Sequence, residues 1–92
     1  MLLNTIIHAK PENLTAQVQS DTVLLQISSG KYFGLNEVGA RVWELIQTPT
    51  SLSTVLEELL LEFDARPEQL EVDVVKFLTE LLSAELVGVT RT

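Results

Sequence analysis

Cysteine is absent and histidine occurs once, at His8. The first absence excludes disulfides, thiol nucleophiles and thiolate metal ligands. The second leaves only carboxylates to hold a metal. A calcium loop needs a glycine at its turn, and none stands between Asp64 and Asp73. Glycine is scarce everywhere: Gly30, Gly34, Gly39 and Gly88 stand apart, so no loop is built to cradle a phosphate. No serine sits in a Gly-x-Ser-x-Gly elbow. His8 falls in the least patterned part of the chain and reads as a solvated side chain. The acid pairs Glu57/Glu58 and Glu62/Asp64 fall at helix-surface positions and read as solvation. Neither an enzyme nor a bound metal or cofactor is expected.

Positive charge is also in short supply. Six Lys and Arg against 13 Asp and Glu give a net charge of −7. Affinity for nucleic acid comes largely from basic side chains that displace counterions, so neither nucleic acid nor an anionic membrane surface is an expected partner. No unbroken apolar run exceeds three residues, as at Leu59 to Leu61, so no segment can span a bilayer. The amino-terminal residues Met1 to His8 have no basic stretch ahead of an apolar one and do not read as a signal peptide. The expected address is the cytoplasm.

What is present suffices for one domain. The chain has 92 residues, 46% of them hydrophobic, and a chain of this size buries roughly 60–65% of its unfolded surface. Residues 1–13 carry little pattern, apart from Ile6 and Ile7, which can pack on the domain or pair as a ragged strand. They read as an extension to a domain at 14–92. Leu14, Ala16 and Val18 alternate with polar residues and predict a half-buried strand. Ser20-Asp21 supplies a turn. Val23, Leu25 and Ile27 give a second strand, Ser28-Ser29-Gly30 the next turn, and Lys31 to Leu35 a third strand. Short turns between consecutive strands predict an antiparallel meander.

At residue 36 the period changes. Lys31, Phe33 and Leu35 share a strand face, whereas Val38, Val42, Leu45 and Ile46 share a helix face. Asn36 stands between them and is the natural N-cap. The first helix is expected from about Glu37 to Gln47, ended by Thr48-Pro49. Gly39 inside it costs about 1 kcal/mol against alanine and implies close approach of another backbone. Ser51 caps a second helix running to about Phe63. Pro67 starts a third, to about Ala84, although Arg66 is a poor cap. In that third helix Leu70, Val74, Phe77 and Leu81 form one line, and Val75, Leu78 and Leu82 form a second beside it. The apolar arc covers roughly 180°, wider than the ~100° a docking helix needs. Either the helix is deeply buried, or one line packs inward while the other floors a groove. Leu86 to Val89 follows as an extended tail. The expected class is α+β and winged-helix-like: a three-stranded antiparallel sheet, then three helices.

Winged helices usually bind DNA, but the third helix and the residues after it carry Glu68, Glu71, Asp73, Glu80 and Glu85 against Lys76 alone. Strand addition suits the layout better: an extended peptide pairs with a sheet edge, and side-chain pockets give specificity. The third strand is the expected edge, because residues 1–13 can cover the first. An open edge can also be the seam of a homodimer.

The segment Gly30-Lys31-Tyr32-Phe33-Gly34-Leu35-Asn36-Glu37-Val38-Gly39-Ala40-Arg41-Val42-Trp43-Glu44-Leu45-Ile46 resembles the signature of PqqD-like proteins. The 52–64 helix and the Asp73-to-Leu78 segment continue the likeness, over roughly residues 14–87. That family resembles the recognition elements of ribosomally made peptide natural products. The resemblance implies a non-catalytic protein that binds a precursor's leader as an added strand between the third strand and the third helix. Such a protein presents the precursor to a leader peptidase or other modifying enzyme. On this chain, the backbone of Lys31, Tyr32, Phe33, Gly34 and Leu35 would pair with the leader. Tyr32, Phe33, Val75, Leu78 and Leu82 would offer apolar pockets, and Glu71 and Thr79 would line the polar side. The Tyr-Phe-Gly-Leu-Asn form looks most like the stand-alone lasso-peptide type. The alternative within the family is a chaperone for a radical-SAM enzyme of the pyrroloquinoline quinone kind.

Overall fold

The computed structural model describes residues 1–90. In chain order the elements are β1 (Ile6–Ala9), β2 (Asn13–Val18), β3 (Asp21–Gln26), β4 (Lys31–Leu35), α1 (Glu37–Leu45), β5 (Thr50–Ser51), α2 (Leu52–Glu62), α3 (Pro67–Ser83) and β6 (Val87–Thr90). The class is α+β, with three helices and two antiparallel three-stranded sheets, ordered β2-β3-β4 and β5-β1-β6. No helix among the described residues is long and apolar enough to cross a membrane.

The second sheet gives the amino-terminal segment a larger part than its sequence pattern suggests. β1 is its central strand, pairing Ile6 with Ser51 on one side and Ile7 with Val89 on the other. Ile7 and Val87 are fully buried. The expected 1–13 extension therefore supplies core, and the expected 86–89 tail is its partner strand. Nor does β1 cover β2, whose outer edge has no partner among the described residues. His8 is not a free tail residue either. It lies opposite Gly88 in the ladder, and a methyl group on Gly88 would fall 2.5 Å from its ring. The missing side chain there makes room for the imidazole.

The helix ends follow local chemistry. Asn36 Oδ1 accepts from the Gly39 N–H at 2.7 Å, and Ser51 Oγ accepts from the Thr54 N–H at 3.2 Å. Each satisfies one orphan donor of a first turn. Arg66 makes no such bond, and Pro67, which has no N–H, leaves one orphan donor fewer in the first turn of α3. α1 is shorter than expected, closing at Leu45. Its Arg41 Nε donates to both carboxylate oxygens of Glu62, at 2.8 and 3.0 Å, joining α1 to α2. That hydrogen bond raises the Arg41 pKa above its ordinary value.

The core lies between the helices and the inner faces of both sheets, around Leu24, Val42, Ile46, Leu59, Leu78 and Leu86. In the β2-β3-β4 sheet the inward residues of β3 are Leu24 and Gln26, not Val23 and Leu25. Every residue of β2 except its first, half-buried Asn13, is exposed. Of the residues expected to face the core, Leu14, Ala16, Val18 and Ile27 are exposed, and Val23 and Leu25 are half-buried on the outer face. The cause is register. The turn between β3 and β4 takes four residues, Gln26 pairs with Lys31, and Gly30 closes it at φ +72°. A three-residue turn would have paired Ile27 with Lys31, and a slip of one residue exchanges the faces of the strand.

Candidate functional site

β4 is an edge strand. Its inner neighbour is β3, with Leu24 opposite Phe33 and Thr22 opposite Leu35, and its other edge has no partner among the described residues. Phe33 and Leu35 face the core, whereas Tyr32 faces outward and is 72% exposed. β4 and α3 make no substantial contact with each other; α1 packs against both. Two ties hold α3 in place beside the sheet. The Gln26 side-chain N–H donates to the Ala84 carbonyl at 2.7 Å. Phe77 lies over Gly39, where an added methyl group would come within 3.3 Å of the ring. The close neighbour that Gly39 implies is thus a side chain rather than a backbone.

Past the end of β4, a cleft between α1 and α3 holds a cavity of about 430 Å3. Asn36, Val38, Gly39 and Val42 line it from α1 and its cap, Ala65 and Arg66 from the loop before α3, and Gln69, Leu70, Asp73, Val74 and Phe77 from α3. Its wall is apolar and its α3 side carries one cation, Arg66, and one anion, Asp73. The Gln69 side-chain amide donates to Asp73 Oδ1 at 2.9 Å. This volume lies near the low end of the roughly 300–1,000 Å3 found for ligand pockets. It suits one or two side chains of a peptide.

The residues expected at the site divide in two. Lys31 to Leu35 lie together on the free edge, and none of them lines the cavity, which begins at the next residue, Asn36. The α3 residues do not join them. At ~100° per residue, Glu71, Val75, Thr79 and Leu82 sit roughly 120–160° around the helix from Phe77, on its opposite flank. The Thr79 hydroxyl donates to the Val75 carbonyl within the helix, at 2.7 Å. Leu78 is fully buried and belongs to the core, so it offers no pocket. The flank that does face the cleft carries Gln69, Asp73 and Phe77. Of the two apolar lines on α3, the one beginning Leu70-Val74-Phe77 reaches the cavity. The glycine at position 39 was the available signal, since it marks where α3 presses on α1.

The sequence profile of the family described as Coenzyme PQQ synthesis protein D (PqqD) matches residues 21–87. No curated protein matches the chain. Two solved structures are similar. One is described as TbiB1 in complex with the TbiA(beta) leader peptide; it is 27% identical, with TM-score 0.75, over 88% of this chain and 94% of that one. The other is described as lasso peptide synthetase B1 complexed with the leader peptide; it is 26% identical, with TM-score 0.74, over 89% of this chain and 96% of that one. Since the profile takes in everything from β3 through α3 to the start of β6, the chain belongs to the PqqD family.

Proposed function

We propose that this chain captures the leader of a ribosomally made precursor peptide, of the lasso-peptide type, as an added strand on β4. It holds the precursor for a leader peptidase or other modifying enzyme in the cytoplasm and makes or breaks no bond itself. The observation that carries this reading is the unpaired β4 edge ending on an apolar cavity. Such an edge offers a ladder of backbone donors and acceptors, and the cavity offers a place for an anchoring side chain. Both similar structures are described as holding a leader peptide, which supports the same reading.

Along the β4 edge, the leader's backbone bonds to Lys31 through Leu35. Its alternate side chains turn inward over Phe33 and Leu35, toward Gln69, Asp73 and Phe77 on α3. The others turn outward beside Tyr32. A leader carrying a fluorophore tests this by anisotropy. Binding in the micromolar range or tighter is expected, and a proline within the paired stretch should abolish it by removing a ladder N–H. A leader that binds equally well with proline at every position would rule out strand addition.

A further inference from the structure

Both edges of the β2-β3-β4 sheet are open among the described residues, and the leader as proposed takes only one of them, β4. β2 is the other. Five of its six residues are exposed, and no β2 side chain packs on the core. Sheet edges are ordinarily guarded by a lysine, a proline or a bulge. From Asn13 to Ser20 the chain has no charged residue and no proline, and β2 pairs with β3 without interruption from Asn13 to Val18. Although the chain carries a net charge of −7, two copies can meet along this edge without setting carboxylate against carboxylate.

The hairpin decides which backbone groups are free. Gln19 and Ser20 form a two-residue turn between Val18 and Asp21. The pair beside such a turn is hydrogen-bonded, and hydrogen-bonded pairs alternate along the ladder. Leu14, Ala16 and Val18 thus spend their N–H and C=O groups on β3, whereas Asn13, Thr15 and Gln17 turn theirs to the open edge. That set is self-complementary. About a two-fold axis at Thr15, Asn13 pairs with the partner's Gln17, Thr15 with the partner's Thr15, and Leu14 lies opposite the partner's Ala16. Polar side chains then meet on one face and apolar ones on the other, as an interface between identical surfaces requires.

We infer that a second copy of this chain pairs with β2, strand to strand and antiparallel. The two sheets become one of six strands, with a β4 edge at each end. Leader and second copy use opposite edges, so a dimer holds two leaders, and leader neither makes nor breaks it. The contact is one strand edge, well short of the ~800 Å2 per partner of a tight complex, so its Kd is on the order of 100 μM.

Sedimentation of the full chain from about 5 to 500 μM, with and without leader, reads the association directly. The unaltered chain should pass from monomer toward dimer over that range, and leader should change the dimer Kd by less than about twofold. Thr15→Pro removes one outward N–H, and Thr15→Lys guards the edge with charge and leaves the backbone intact; each should weaken dimerisation about tenfold or more. Because the chain lacks cysteine, Thr15→Cys places a single thiol on the axis, where the ~5.5 Å Cα separation of a hydrogen-bonded pair suits a disulfide. Mild oxidation should link it into a covalent dimer, whereas Val72→Cys, on the exposed side of α3, should stay monomeric under the same conditions. A monomer throughout, association unchanged in both Thr15→Pro and Thr15→Lys, or equal cross-linking through position 72 would overturn the inference. So would a dimer that leader dissociates, since β4 would then be the seam. Failure of the unaltered chain to bind leader would overturn the proposed function and leave this inference standing.

Discussion

The side-chain amide of Gln26 reaches across 58 positions of sequence to donate to the Ala84 carbonyl at 2.7 Å. Ser29 Oγ donates in turn to Gln26 Oε1 at 2.6 Å, so both ends of a buried amide are used. The bond ties the middle strand of the β2-β3-β4 sheet to the carboxyl end of α3. Gln26→Ala removes the donor and leaves a carbonyl without its partner. The expected loss is about 1–3 kcal/mol in urea unfolding. Leader affinity should fall as well, because α3 is no longer held beside β4. A variant of unaltered stability would mean that water replaces the amide at no cost.

The same residue shows where sequence reading succeeds and where it stops. Alternation locates β2, β3 and β4, and Asn36 and Ser51 mark two helix starts by their side-chain oxygens. Alternation does not say which set of residues faces inward. In β3 the outward set, Val23 and Leu25, is more apolar than the inward set, Leu24 and Gln26. Only the turn length distinguishes them, and Ile27 is as acceptable in a strand as in a turn. β1 and β6 are four residues each, too short for a periodic signal, and their pairing depends on contacts some 80 residues apart. On α3 the apolar arc is legible, but its direction is not. Helix periodicity gives angles between residues and no absolute orientation.

Gly39 gives a variant whose effects on stability and on binding should differ. Alanine there gains about 1 kcal/mol of helix propensity. Its methyl group would sit 3.2 Å from Asn36 Oδ1 and 3.3 Å from Phe77 Cζ. The cap and the ring must each give way, so the expected stability change is within about 1 kcal/mol of zero. The displaced ring narrows the cavity, and leader affinity should fall severalfold in the anisotropy titration. A stabilised variant with unchanged affinity would show that neither Asn36 nor Phe77 needs its present position.

The two flanks of α3 make opposite predictions. Phe77→Ala and Asp73→Ala alter the wall facing the cleft, and each should weaken leader binding, Phe77→Ala by about tenfold or more if its ring is an anchor. Glu71→Ala and Thr79→Ala alter the far flank. They should change affinity less than about twofold, and stability by no more than about 0.5 kcal/mol, as is usual for exposed positions. Titrating all four with one labelled leader compares the flanks directly. Loss at Glu71 and Thr79 with none at Asp73 and Phe77 would move the leader to the other side of the helix.

Leu78 separates support of the site from contact with the guest. It is fully buried against the core, so Leu78→Ala should cost about 2–5 kcal/mol through lost transfer energy and the cavity left behind. A domain of this length holds roughly 5–14 kcal/mol. Except where the largest loss meets the smallest total, most molecules remain folded at room temperature, and those that do keep the β4 edge and the Gln69-Asp73-Phe77 wall. Leader affinity at low temperature should then lie within a few-fold of the unaltered chain, while the melting temperature drops. Leader at about 100 times its Kd should restore roughly 2.7 kcal/mol of stability, because only the folded form binds it. The same addition to Phe77→Ala at equal leader concentration should restore less, since there the binding constant itself has weakened. A Leu78→Ala chain that is stable yet unable to bind would make this leucine a contact after all, reached by the leader only after α3 has moved.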